Sequence, residues 1–180
     1  MIRQSIARSY AKGLFAAGVK DGRYKDYLGQ MKEILEIVNK SPRIREALLL
    51  PLFEMDKRKE LLSGFMSALE VSPPVAALMG LLLERNRMAY LVAIHDAYEQ
   101  MVDDKEGRVK GTMYSAYPLP DATKARIEEV LGERLKKKVE LHIEEDKELI
   151  GGLKVIVGGM RIDGSVKRQL ELLNESMMKE

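Results

Sequence analysis

The sequence predicts a mainly α protein: a six-helix N-terminal bundle followed by a small α/β C-terminal domain. Three observations carry this. Apolar residues recur at helical spacing, almost without interruption, up to Lys105. Beyond it GRVKGTMYSAYPLP turns rich in β-branched and aromatic residues, and apolar residues alternate with polar ones in VELHIEED and LKVIVGG. Proline, glycine and Asp/Asn/Ser residues fall between the periodic stretches, where caps and turns need them. The division lies in the charged, glycine-bearing run Asp103 to Gly107, giving a helical bundle over 1–105 and an α/β domain over 106–180.

The first helix places Ile6, Tyr10 and Leu14 in one row and Ala7, Ala11 and Phe15 in the next. Asp21-Gly22 ends it. The second puts Leu28, Met31, Leu35 and Val38 on one side, with Ile34 beside them. Ser41-Pro42 reads as a cap and first-turn proline opening a short third helix through Leu49, which Pro51 ends. Asp56 is the expected cap of the fourth helix, whose apolar row includes Leu61, Leu62, Phe65 and Leu69. Ser72-Pro73-Pro74 starts a fifth helix running to about Glu84. After a break at Asn86-Arg87, the sixth carries Leu91, Ile94, His95, Tyr98 and Val102.

A strand is expected within GRVKGTMYSAYPLP, closed by Pro118 and Pro120. Asp121 begins the next helix. VELHIEED alternates Val139, Leu141 and Ile143 with polar residues, and LKVIVGG is a second run of that kind. The short connection Glu148 to Gly152 predicts that these two strands form an antiparallel pair. Gly158-Gly159 allows a bulge or positive φ at a strand end, and Asp163-Gly164 turns the chain. A final helix starts near Ser165, capped by Ser165 or Asp163, with Val166, Leu170, Leu173 and Met177 in register.

At 180 residues, 46% hydrophobic and 32% charged, the chain can bury real cores and is too apolar for disorder. Thirty basic and 28 acidic residues leave a net charge of only +2, so nucleic acid is not an expected partner. Without cysteine there are no disulfides, thiol nucleophiles or thiolate metal ligands. The opening MIRQSIARSYAKGLF lacks the apolar core of a signal peptide. The longest apolar stretch, VAALMGLLLE, has the length of a buried soluble helix rather than the roughly 20 residues of a membrane span.

The stretch LIGGLKVIVGGMRIDGS raises the question of a phosphate cradle. A P-loop needs Lys and Ser or Thr directly after its last glycine, whereas Gly158-Gly159 is followed by Met160-Arg161-Ile162. A dinucleotide fingerprint needs GxGxxG between a strand and a helix, whereas these glycines are paired and bound a strand. The structural reading is therefore preferred: Gly151, Gly152 and Gly158 shape turns, while Asp163 and Ser165 cap a helix. His95 lies on an apolar helix row and His142 on a polar strand face, so no metal cluster is expected. Glu144, Glu145 and Asp146 read as a solvated turn. Lys136, Lys137 and Lys138 complement a helix C-terminus. No cofactor and no catalytic residue is assigned.

The first helix offers small side chains, Ala7, Ala11, Ala16 and Ala17, beside Tyr10, Leu14 and Phe15. Gly13 and Gly18 inside it each cost about 1 kcal/mol relative to Ala. The row suits either intramolecular packing or a groove for a partner's amphipathic helix, and sequence physics leaves both open.

The order of parts resembles the delta subunit family of F-type ATP synthases, called the oligomycin-sensitivity-conferring protein in mitochondria. The resemblance spans the chain. It rests on ARSYAKGLFAAG, on LLLERNRMAYLVAIHDAYEQMVD through Leu82, Asn86 and Arg87, and on IGGLKVIVGGMRIDGSVKRQLELL. In the last, the matched residues are Gly151-Gly152, Leu153 to Val157, Gly158, Asp163, Ser165, Leu170 and Leu173. Gly13, where the family usually has Ala, and the extension Gly159-Met160 depart from it. The resemblance implies a non-catalytic stator subunit that joins the catalytic head to the peripheral stalk and resists rotor torque. It implies that the bundle receives N-terminal helices of alpha subunits through its first and fifth helices, at Ala7, Tyr10, Ala11, Leu14, Leu78, Leu81 and Leu82. The C-terminal domain would hold the ends of b-type subunits. Membrane contact would be indirect, through the complex, at the cytoplasmic face of the cell membrane. The alternative is a helix-binding adaptor of another assembly.

Overall fold

A computed structural model describes residues 2–49 and 54–177 of the chain. The protein is mainly helical with a four-stranded sheet in its C-terminal part. It divides into two compact units, Met1–Val102 and Asp103–Glu180.

The first unit contains α1 (Ile2–Lys20), α2 (Tyr24–Lys40), α3 (Pro42–Leu49), α4 (Met55–Ala68), α5 (Pro73–Glu84) and most of α6 (Leu91–Lys105). A 3-10 turn at Met88–Tyr90 precedes α6. Ser41 and Pro42 stand at the α2–α3 corner as expected, whereas the expected end of α3 at Pro51 lies outside the described residues. Asp56 is not the cap of α4. Glu54 holds that position without a side-chain hydrogen bond, and Asp56 lies in the first turn, where its charge favours the helix dipole. Ser72 stands before α5, but its side chain turns to α2. Gln30 Nε2 donates to Ser72 Oγ, and Ser72 N donates to Gln30 Oε1, both at 3.0 Å.

One continuous core fills this unit. Tyr27, Met31, Ile34 and Val38 from α2 meet Val75, Leu78, Met79, Leu82 and Leu83 from α5, with Leu91, Ile94, Tyr98 and Val102 from the last helix. Phe15 stands edge-on to Tyr24 and Tyr98, at 6.2 and 5.8 Å between ring centres. The Tyr98 hydroxyl donates to the Tyr24 carbonyl at 3.0 Å, satisfying the polar end of a fully buried ring.

The second unit contains β1 (Arg108–Ser115), α7 (Asp121–Leu135), β2 (Lys138–Glu145), β3 (Leu153–Val157), β4 (Met160–Asp163) and α8 (Val166–Met177). The sheet order is β2-β1-β3-β4. This corrects one expectation: β2 and β3 do not pair. β1 lies between them, parallel to β2 and antiparallel to β3. The crossover through α7 returns the chain parallel to β1, and the connection 146–152 then carries it over the end of β1 to the other side. β4 was not foreseen. Its four residues pair antiparallel with β3 across a two-residue turn at Gly158-Gly159. Both glycines have positive φ, +56° and +80°, as a twist-matched hairpin turn requires. There is no bulge.

Strand register places Val109, Met113, Val139, Leu141, Val155 and Val157 on one face, packed with Leu131, Ile127 and Leu135 of α7. The outer edge, β2, is guarded: Leu141 N donates to Glu128 Oε1 of α7 at 2.7 Å, occupying an edge N–H that could otherwise template another strand.

Candidate functional site

The expected docking face of the first unit separates into buried and accessible residues. Ala7, Ala11 and Leu14 of α1 and Leu78 and Leu82 of α5 are buried in the unit's own core. Their small or branched side chains let α1 approach α2 and α5, its two main neighbours. Their burial favours internal packing, one of the two readings the sequence left open for the α1 row: a partner could reach these five only by opening the unit. Tyr10 is half-buried, and Leu81 is 41% exposed. They are the two expected contact residues that remain accessible.

Tyr10 also has an internal partner. Arg87 Nη1 donates to its hydroxyl at 3.0 Å, and the guanidinium carbon lies 5.9 Å from its ring centre. Arg87 follows Asn86, whose φ of +51° makes the sharp corner after α5. The matched Asn86-Arg87 pair thus ties α1 to that corner.

Sequence reasoning missed a groove between α4 and α5. Its volume is about 360 Å³, and Leu62, Met66, Ala76 and Gly80 line it with Ser63 and Ser67. Lys59 and Glu84 form an ion pair across it at 2.7 Å. The helical period places Ala76, Gly80 and Glu84 on one face of α5, so the signal was present, but only the pairing with α4 reveals the groove.

In the second unit, the glycine-rich segment builds a corner. Gly152 has φ +82°, and a Cβ there would stand 2.4 Å from the Gly164 carbonyl oxygen, so no larger residue fits. Gly151 O accepts from Val166 N at 3.0 Å. Asp163 Oδ1 accepts from the Ser165 hydroxyl at 2.7 Å and its amide at 3.1 Å. These bonds hold the Asp163 carboxyl below its ordinary range, the hydroxyl bond foremost. Ser165 Oγ in turn accepts from Arg168 N at 3.2 Å, so Ser165 is the cap of α8, positioned by Asp163. Gly151, Gly152, Gly158, Asp163 and Ser165 therefore shape and anchor backbone.

On α8, Val166, Leu170 and Met177 keep their predicted register but are exposed; the side chain of Leu173 is outside the described residues. Among the described residues, no group of three or more His, Asp or Glu is placed to hold a metal ion, and no helix is long and apolar enough to cross a membrane.

The chain holds two compact units, each with its own core and with accessible apolar side chains. Comparison with known proteins shows the family. Residues 6–177 match the family described as ATP synthase delta (OSCP) subunit. An ATP synthase subunit delta from Anaeromyxobacter sp. (strain Fw109-5) is 36% identical over 177 residues, covering 98% of this chain and 99% of the relative. Another, from Desulfotalea psychrophila, is 31% identical and covers 96% and 95%. In fold, the chain is similar to one in the Toxoplasma gondii mitochondrial ATP synthase hexamer, with a TM-score of 0.72, 20% identity, and 96% and 97% of the two chains covered. The chain belongs to the ATP synthase delta (OSCP) subunit family. Its role is that of a structural, non-catalytic subunit in the stator of ATP synthase.

Proposed function

We propose that the two units divide the stator's task. The six-helix bundle, 1–105, holds N-terminal helices of alpha subunits, and the α/β domain, 106–180, holds the ends of b-type subunits at the cytoplasmic face of the cell membrane. The carrying observation is the separation of the chain into two cores, each with exposed apolar residues of its own. Linked modest contacts gain strength through effective concentration, which suits a part that must resist torque from both ends.

On the bundle, we place the alpha-subunit helix against the outer flank of α1 and α5, with Leu81 and Tyr10 as accessible contacts. Ala7, Ala11, Leu14, Leu78 and Leu82 support that flank from beneath by fixing how closely the two helices approach.

Capture of the full chain from gently solubilised membranes tests the reading. Alpha and b-type subunits should be recovered together. Recovery of neither, from a preparation whose ATP synthase is intact, would contradict it.

A further inference from the structure

The sequence holds two Asp-Gly dipeptides, Asp21-Gly22 and Asp163-Gly164. At such a pair the glycine nitrogen can attack the aspartyl Cγ, because glycine has no side chain to obstruct the closing ring. Sequence and exposure treat the two alike, since all four residues are exposed. Their hydrogen bonds do not.

At Asp163-Gly164 both reacting groups are engaged. Gly164 N donates to the Leu153 carbonyl at 2.8 Å, extending the β3–β4 ladder by one residue. The Gly164 carbonyl lies against Gly152, which leaves its peptide plane no room to turn. Asp163 Oδ1 accepts from the Ser165 hydroxyl and amide, which draws the carboxyl past Gly164 toward α8. The same bonds keep that carboxyl ionised, and a carboxylate has no hydroxyl to release. At Asp21-Gly22 the nitrogen is weakly held. Gly22 N donates to the Val19 carbonyl at 3.4 Å, at the long limit of a hydrogen bond. Gly22 has φ +71°, just past the end of α1, and a Cβ built on it would meet nothing. Asp21 Oδ2 accepts from the Tyr27 hydroxyl at 3.0 Å, a donor that draws electron density from Cγ. Burial pushes the Tyr27 phenol up, so it keeps its proton.

We propose that Asp21-Gly22, at the corner between α1 and α2, is a site of spontaneous isoaspartate formation in the folded chain, and that Asp163-Gly164 is protected from it. Gly22 N bonds to Asp21 Cγ, and the amide proton leaves with the carboxyl hydroxyl as water. Water then opens the succinimide at the Asp21 main-chain carbonyl. The chain thereafter runs through Cβ and gains one main-chain atom, with no net change in mass. The corner leaves little room for that atom. Arg23 N donates to the Gly18 carbonyl at 2.9 Å, and a Cβ on Gly18 would stand 2.9 Å from Tyr24 Cα. The longer backbone therefore loosens the seat of α1 on α2.

The test ages the full chain at neutral pH, folded in one series and in denaturant in another, and then digests it. Chromatography separates the equal-mass forms of each peptide. An isoaspartate-specific carboxyl methyltransferase with labelled S-adenosylmethionine counts the isomer in them. In the folded chain the Asp21 peptide should accumulate isomer about tenfold or more faster than the Asp163 peptide, which reacts only when the end of the β3–β4 pair has opened. In denaturant the two should react at similar rates. Asp21→Glu should abolish the signal from the first peptide, since its longer side chain closes a six-membered ring slowly. Equal rates in the folded chain, or no isomer at Asp21, would overturn the proposal. So would an Asp163 peptide that stays inert in denaturant, because its protection would not then come from the fold.

Discussion

Arg58 is 2% exposed and has no carboxylate partner in its hydrogen bonds. Its guanidinium donates to the Ala47 carbonyl at 3.2 Å, the Leu48 carbonyl at 2.8 Å and Asn86 Oδ1 at 3.0 Å. The two carbonyls belong to the last turn of α3, where positive charge meets the negative end of the helix dipole. One side chain thereby joins α3, α4 and the corner after α5. Arg58→Met should lower unfolding free energy by about 2 kcal/mol or more in urea titrations, because three acceptors, the buried Leu48 carbonyl among them, lose a charged donor. Arg58→Lys should recover only part, since one ammonium cannot reproduce the planar fork. None of this was legible in DKRKE, where Arg58 looks like one more solvated charge. Asp163 gives a second residue-scale outcome. A carboxyl held below its ordinary range stabilises the folded state above that range, and the contribution is lost as pH falls through the lowered value. Hydrogen-exchange protection at the start of α8 should therefore decline below about pH 4, and Asp163→Asn should remove that step.

Among elements, α1 shows how periodicity informs and misleads. The alanine row correctly marks a close helix approach, but amphipathicity cannot say whose helix approaches. The structure assigns it to α2 and α5 of the same chain. Ala11→Glu should consequently destabilise the fold itself, by about 3 kcal/mol or more, through burial of an unpaired charge. Leu81→Asp should leave melting nearly unchanged and weaken binding of an alpha-subunit N-terminal peptide; equal binding would move the docking face away from α5. In the C-terminal unit β1 was visible in its β-branched and aromatic residues and β2 and β3 as alternation, but strand neighbours were not. A short loop suggested a β2–β3 hairpin, and nothing local indicates that β1 lies between them. β4 hid because four residues between glycine turns give alternation little length to show. Gly152→Ala should destabilise this unit, with no relief from side-chain rearrangement, because the obstructing atom is a backbone oxygen.

At the scale of the whole molecule, the change of period near Gly107 was the strongest message of the sequence, and the contact pattern divides the chain at Val102 and Asp103. The few-residue offset has a physical source. Asp103 and Asp104 continue the α6 helix, yet their charges pair with Arg108, Lys110 and Lys137 of the second unit. Helical pattern and tertiary partnership therefore end at different residues. A fragment of residues 1–104 should fold as a helical unit with a cooperative thermal transition by circular dichroism; an unfolded fragment beside a folded full chain would show that the first core is incomplete alone. The central claim is that one chain holds the head and the stalk at the same time. Analytical ultracentrifugation of the full chain with an alpha-subunit N-terminal peptide and a b-type C-terminal peptide, each carrying a distinct absorbing label, tests it most directly. The account predicts both labels sedimenting together with the chain, each at the occupancy it reaches alone. Displacement of one peptide by the other, or sedimentation of only one with the chain, would contradict it.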